Sequence, residues 1–165
     1  MNSTHLHLVI NHLAIIGSLL GSLVLIYAIL VRSTETQIAA YGLFIIAAIG
    51  AVITFQTGET AEEAVEHLSG VSESIIERHE DSANLALAGL LTLGLASLSA
   101  LYLTMKKSQW MVAASRITLI LAIVSFVLIA RTGYLGGQIR HTEITNASAT
   151  GQSAGSHEQD ESDDD

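Results

Sequence analysis

The chain has no cysteine anywhere in its 165 residues, no proline, and few charges for its length. Without cysteine there can be no disulfide framework, no thiolate-held iron–sulfur cluster and no covalently attached c-type haem. Basic residues are scarce: seven Lys and Arg stand against sixteen acids, for a net charge of −9. That balance leaves no basic face for sequence-independent nucleic-acid binding, so nucleic acid is not an expected partner. No Gly-rich phosphate loop and no serine nucleophile elbow appears, and a cysteine nucleophile is excluded. These absences describe a subunit rather than an enzyme on its own. Charged residues make up only 14% of the chain, against about 25% in soluble domains.

The charges are segregated. Residues 1–31, 36–58 and 82–105 hold no Asp, Glu, Lys or Arg, and 108–130 hold only Arg116. Inside these windows lie four apolar runs, 13–31, 38–55, 85–105 and 111–130. As α-helix at about 1.5 Å per residue, each spans the roughly 30 Å hydrocarbon core of a bilayer. They are apolar all round, as in LAIIGSLLGSLVLIYAILV, where a soluble helix would carry a polar stripe. The first run lacks a basic n-region and a small-residue cleavage pattern, so it reads as a span and not as a signal peptide. The expected fold is all-α, an integral membrane antiparallel four-helix bundle with the lipid bilayer as its surroundings. Residues 1–141 form the membrane domain and 142–165 a disordered acidic tail. The tail beyond His141 has seven acids and no base.

Short links, Arg32–Gln37 and Lys106–Trp110, join the first and last pairs of spans and predict antiparallel neighbours. The second and third spans are joined by an acidic loop, 57–83, with eight acids and one base. Thr60-Ala-Glu-Glu63 fits a capping box and Gly70 a C-terminal stop, which predicts a short amphipathic helix carrying His67 in that loop. One face of the membrane holds Arg32, Lys106 and Lys107, with Arg116 just inside; the other holds Arg78, Arg131 and Arg140. The bias favours a cell (inner) membrane protein with termini and acidic loop outside the cytoplasm. Uncharged spans 1–3 argue against an ion pump, and four spans leave little room for alternating access. Gly17-x-x-x-Gly21 permits close helix approach, within the chain or in a homo-oligomer.

Seven histidines remain: His5, His7, His12, His67, His79, His141 and His157. Parity of four spans puts all of them on one membrane face. His12 directly precedes the first run, and His5 shares its face if the helix extends back. His79 lies in Ser72–Asn84, which runs without Gly or Pro into the third span. His141 follows Gly133, Gly136 and Gly137, which would let the fourth helix end and its exit bend back over the rim. Four readings stay open. Haem b needs axial imidazoles, an apolar slot and bases for its propionates, a set that His7, His12, His79, His141, Arg131 and Arg140 could supply. Zinc or copper needs three or four close donors, from His12, His67, His79 and His141, with Glu59, Glu62, Glu63 and Glu66 nearby. The cluster could instead handle protons or sense pH, or the histidines could be ordinary interfacial residues. A different class of function is a non-enzymatic membrane subunit or scaffold whose acidic loop recruits a partner protein.

The residues also carry a resemblance. His7-Leu-Val-Ile-Asn-His12, His79 ahead of the third span, and Gly133-Tyr-Leu-Gly-Gly137 followed by His141 resemble a bacterial family of four-helix membrane domains catalogued as domain of unknown function 2231. The resemblance covers residues 5–141. The prolines of the family's opening motif are missing here, and His141 follows the glycine pair more closely than is usual. The family's histidine pattern looks like that of membrane b-type cytochromes. The resemblance therefore implies haem b and a redox-associated or electron-transfer subunit, with a redox partner protein or a quinone nearby.

Overall fold

The computed structural model describes the backbone of residues 3–65 and 73–155, with side chains at 10–58, 74 and 77–137. It contains four helices, α1 (Ser3–Val31), α2 (Thr34–Val65), α3 (Glu73–Met105) and α4 (Met111–Gly155), and no strand among the described residues. Each holds a stretch long and apolar enough to cross a membrane: Ile10–Val31, Thr34–Gly58, Glu77–Met105 and Met111–Gly137. In lipid the helix is the element that satisfies its own backbone groups, and these stretches offer no proline to interrupt it. The predicted all-α four-helix bundle is the observed architecture.

α1 packs against α2 and α4, and α3 packs against the same two, so α1 and α3 lie across a diagonal. Small residues set the close contacts. A Cβ added at Gly17 would lie 3.2 Å from the Ala47 Cβ, and one at Gly21 only 2.6 Å from the Phe44 ring. The Gly17-x-x-x-Gly21 pattern is thus used inside the chain, between α1 and α2. Across α2 and α3, Ala48 comes within 2.7 Å of a Cβ at Gly94. Tyr41, Phe44, Leu25, Leu90 and Leu93 fill the centre and are fully buried. Buried Ser22 and Ser97 turn their hydroxyls onto the carbonyls of Ser18 and Leu93, each at 2.7 Å, so these polar groups are satisfied within their own helix. The outward faces are apolar: Leu30, Leu95 and Val127 are 75%, 67% and 61% exposed. Apolar surface on this scale suits contact with a lipid bilayer. By length and composition the helices are those of a multi-pass membrane protein.

The two short links are built alike. Arg32 (φ 56°) and Lys107 (φ 51°) take the left-handed conformation after α1 and α3. Ser33 N–H then reaches back to Ala28 O and Ser108 N–H to Leu103 O, both at 3.0 Å. These six-to-one bonds close the helix ends in Schellman fashion. The Ser33 hydroxyl accepts from Thr36 N–H at 3.2 Å and caps α2.

Two boundaries differ from expectation. α2 continues through Gly58 to Val65, so the residues from Thr60 extend α2 and do not start a separate amphipathic helix. α4 passes Gly133, Gly136 and Gly137 and runs to Gly155, through residues 142–155 of the segment expected as a disordered tail. A glycine inside a helix costs about 1 kcal/mol relative to alanine but keeps its N–H, whereas a proline would remove the bond and clash. Residues 66–72 and 156–165, with His67, Gly70 and His157, lie outside the described residues.

Candidate functional site

The histidine-bearing end is held together by a hook between α3 and α4. His79 and Ser82 sit three residues apart on α3 and so share a face. The His79 Nδ1 lies 3.1 Å from the Thr132 carbonyl oxygen of α4. A carbonyl only accepts, so Nδ1 carries the proton, and in the neutral ring the lone pair is on Nε2. The Thr132 hydroxyl donates to Leu128 O at 3.1 Å. Ser82 Oγ therefore donates to Thr132 Oγ1 at 2.9 Å. Ser82 is buried and His79 half-buried. Gly136, one turn beyond Thr132, leaves room for the imidazole: a Cβ there would stand 3.1 Å from His79 Cε1. Ser82 and Thr132 were not among the residues picked out by sequence, and Gly136 was picked out only as a helix-ending glycine and as part of the Gly133–Gly137 segment. The His79-x-x-Ser82 spacing was their one readable signal.

The other candidates are spread along the bundle. Gly50 faces Leu13 and Ala14, while Ala48 faces Gly94. Following these contacts, Ala14 stands level with Thr92 and His12 with Leu90, eleven residues from His79 along α3. At the helical rise, His12 lies about 16 Å deeper in the bundle than His79. It is also exposed, on the helix diagonal to α3. The expected convergence of His12 and His79 on one iron is corrected by this register. His7 is in the same helix about 8 Å above His12. Because α4 continues as helix through the glycines, His141 is carried about 13 Å beyond Thr132 along the chain, instead of leaving the helix there. Arg131 is exposed beside the hook, and Arg140 lies two turns further along α4. Side-chain positions for His7, Arg140 and His141 are outside the described set, and His67 is so entirely. Among the described residues no three His, Asp or Glu side chains come together to hold a metal ion; of the zinc or copper set, His12 and His79 are described, whereas His67 and the side chain of His141 lie outside the described residues.

Comparison with family models, with curated proteins and with solved structures gave no match to this chain. The resemblance described above therefore rests on His7, His12, His79, the Gly133–Gly137 segment and His141 alone. What the geometry offers chemically is one imidazole with a defined tautomer, held between two helices at the end of an apolar bundle.

Proposed function

We propose that the protein is a redox-associated membrane subunit that binds haem b through His79. The carrying observation is the Nδ1 contact of His79 to the Thr132 carbonyl. A backbone carbonyl on Nδ1 is the arrangement that orients a ligating histidine and raises the basicity of its Nε2. Arg131, exposed at the same level, is placed to meet a propionate. Bound haem would supply one-electron transfer, with a quinone or a protein as the exchange partner. His79 does the holding, Thr132 orients it, and Ser82 pins Thr132. His12, about 16 Å deeper by helix register, would not share the group with His79, and the one imidazole would hold it. Arg32, Lys106 and Lys107 at the opposite end support a cell-membrane orientation with the histidine end outside the cytoplasm.

The test is an absorption spectrum of the detergent-purified chain, oxidised and reduced, after reconstitution with hemin. A Soret band is expected in the wild type and in His12→Ala, and its loss in His79→Ala. No Soret band in the wild type overturns the haem reading, and an unchanged His79→Ala spectrum overturns the ligand.

A second reading is supported by a different feature. Beyond its apolar stretch α2 carries Glu59, Glu62 and Glu63, and α3 opens with Glu73, Glu77, Glu80 and Asp81. These helical extensions place Glu59, Glu62, Glu63 and Glu73 past the ends of the membrane-crossing stretches and Glu77, Glu80 and Asp81 in the first turns of the third, as a scaffold recruiting a basic partner would. Neutralising Glu73, Glu77, Glu80 and Asp81 together should then abolish a salt-sensitive complex in native gels of solubilised membranes. A complex that survives the substitutions excludes this reading.

A further inference from the structure

The end of the bundle opposite the histidines holds a groove of about 540 Å³, within the range of small-ligand sites. Its polar wall is formed by Thr34 and Glu35 at the start of α2, Thr104 at the end of α3, and Lys107, Ser108 and Gln109 in the following turn. We propose that this groove binds the headgroup of an aminophospholipid, a phosphodiester and a primary ammonium, from the leaflet it opens on.

Opposite charges face the same space without neutralising each other: among the described residues no ion pair joins Glu35 to Lys107. A zwitterion presents the complement of both. Lys107 meets the phosphate, assisted by the positive N-terminal ends of α2 and α4, which both abut the groove. Glu35 meets the ammonium.

A second observation is independent of the charges. Thr104 is only 1% exposed, lines the groove, and its hydroxyl has no hydrogen-bond partner. Behind it the Tyr41 hydroxyl is likewise buried and unbonded. A buried hydroxyl left in this state is destabilising, and a hydrogen bond from Thr104 to a ligand oxygen would relieve it.

The depth matches a headgroup rather than a soluble metabolite. Tyr102 and Trp110, each 62% exposed, and Tyr27, 60% exposed, ring this end as interfacial aromatics do. Lys106 stands over the Tyr102 ring at 5.9 Å and so is turned to the outer surface, leaving Lys107 to the groove.

The experiment is native mass spectrometry of the full chain released from bilayers of equal phosphatidylethanolamine, phosphatidylcholine and phosphatidylglycerol, with free O-phosphoethanolamine as competitor. Phosphatidylethanolamine should be retained selectively, and the soluble competitor should displace it poorly. Glu35→Gln, Lys107→Gln and the near-isosteric Thr104→Val should each lower retention about tenfold with helicity unchanged. Equal retention of phosphatidylcholine overturns amine recognition, and preference for phosphatidylglycerol overturns the role of Glu35. Displacement by O-phosphoethanolamine at the lipid's own concentration overturns the lipid as the source. Retention unaltered in all three variants overturns the site. None of these readouts involves His79, so the proposal stands or falls apart from the haem reading.

Discussion

The two ends of the bundle are built on different principles. At the turn end, both links are closed by bonds between residues three to five apart: Ser33 to Ala28, Ser108 to Leu103, and Thr36 to the Ser33 hydroxyl. At the histidine end, helices overrun the apolar stretches, and the described connection is made between residues about fifty apart, His79 and Ser82 with Thr132. The contrast teaches that a membrane hairpin can be capped by local chemistry alone, whereas the alignment of one hairpin on the other needs long-range contacts.

The largest expected effect comes from breaking what both ends share. Gly94→Leu drives a side chain into Ala48, whose Cβ is already 2.7 Å from a Cβ at that position. Overpacking of this kind costs about 3 kcal/mol. Unfolding of the detergent-solubilised protein followed by circular dichroism should show it, while Gly42→Ala, with open space around it, should leave stability unchanged or raise it by up to about 1 kcal/mol. If Gly42→Ala is as damaging as Gly94→Leu, the close α2–α3 approach is not what holds the bundle.

The histidine end is addressed by His79→Ala, which removes the α3–α4 bond at a cost of about 1 kcal/mol. Hydrogen exchange should rise in the first turns of α3 and around Thr132 and stay unchanged at Ser33 and Ser108. Acceleration at both ends would mean that they are not independent. The turn end has its own counterpart in Ser33→Ala, which deletes the α2 cap for about 1 kcal/mol and should speed exchange at Thr36 while sparing Thr132.

The smallest effect has the opposite sign. Arg32 and Lys107 occupy left-handed backbone without being glycine, and replacing either by glycine should stabilise the protein by up to about 1 kcal/mol relative to the alanine variant. A glycine variant no more stable than alanine would show that the charged side chain, beside the carbonyl end of its helix, outweighs the strain.

Much of this architecture is legible in residue order. The charge-free windows mark the spans, and the helix into which His79 runs without Gly or Pro begins at Glu73 as that pattern predicts. Gly133, Gly136 and Gly137 misled because glycine lowers helix propensity without forbidding helix, and α4 continues through them. The histidines shared one face of the membrane by parity, but parity carries no depth. Only the contacts of Gly50 with Ala14 and of Gly94 with Ala48 separate His12 from His79 along the bundle.

By itself the sequence determined four apolar helices, their alternating direction and the segregation of the histidines and of every acid but Glu35 to one end. Those follow from hydrophobic length and charge position, which are properties of single segments. The tertiary structure decided which histidine is held by a neighbouring helix, how deep the others lie, and that Thr104, Lys107 and Glu35 border one groove. These depend on helix register, and register is set by which small residues fit against which, a choice made only when the helices meet.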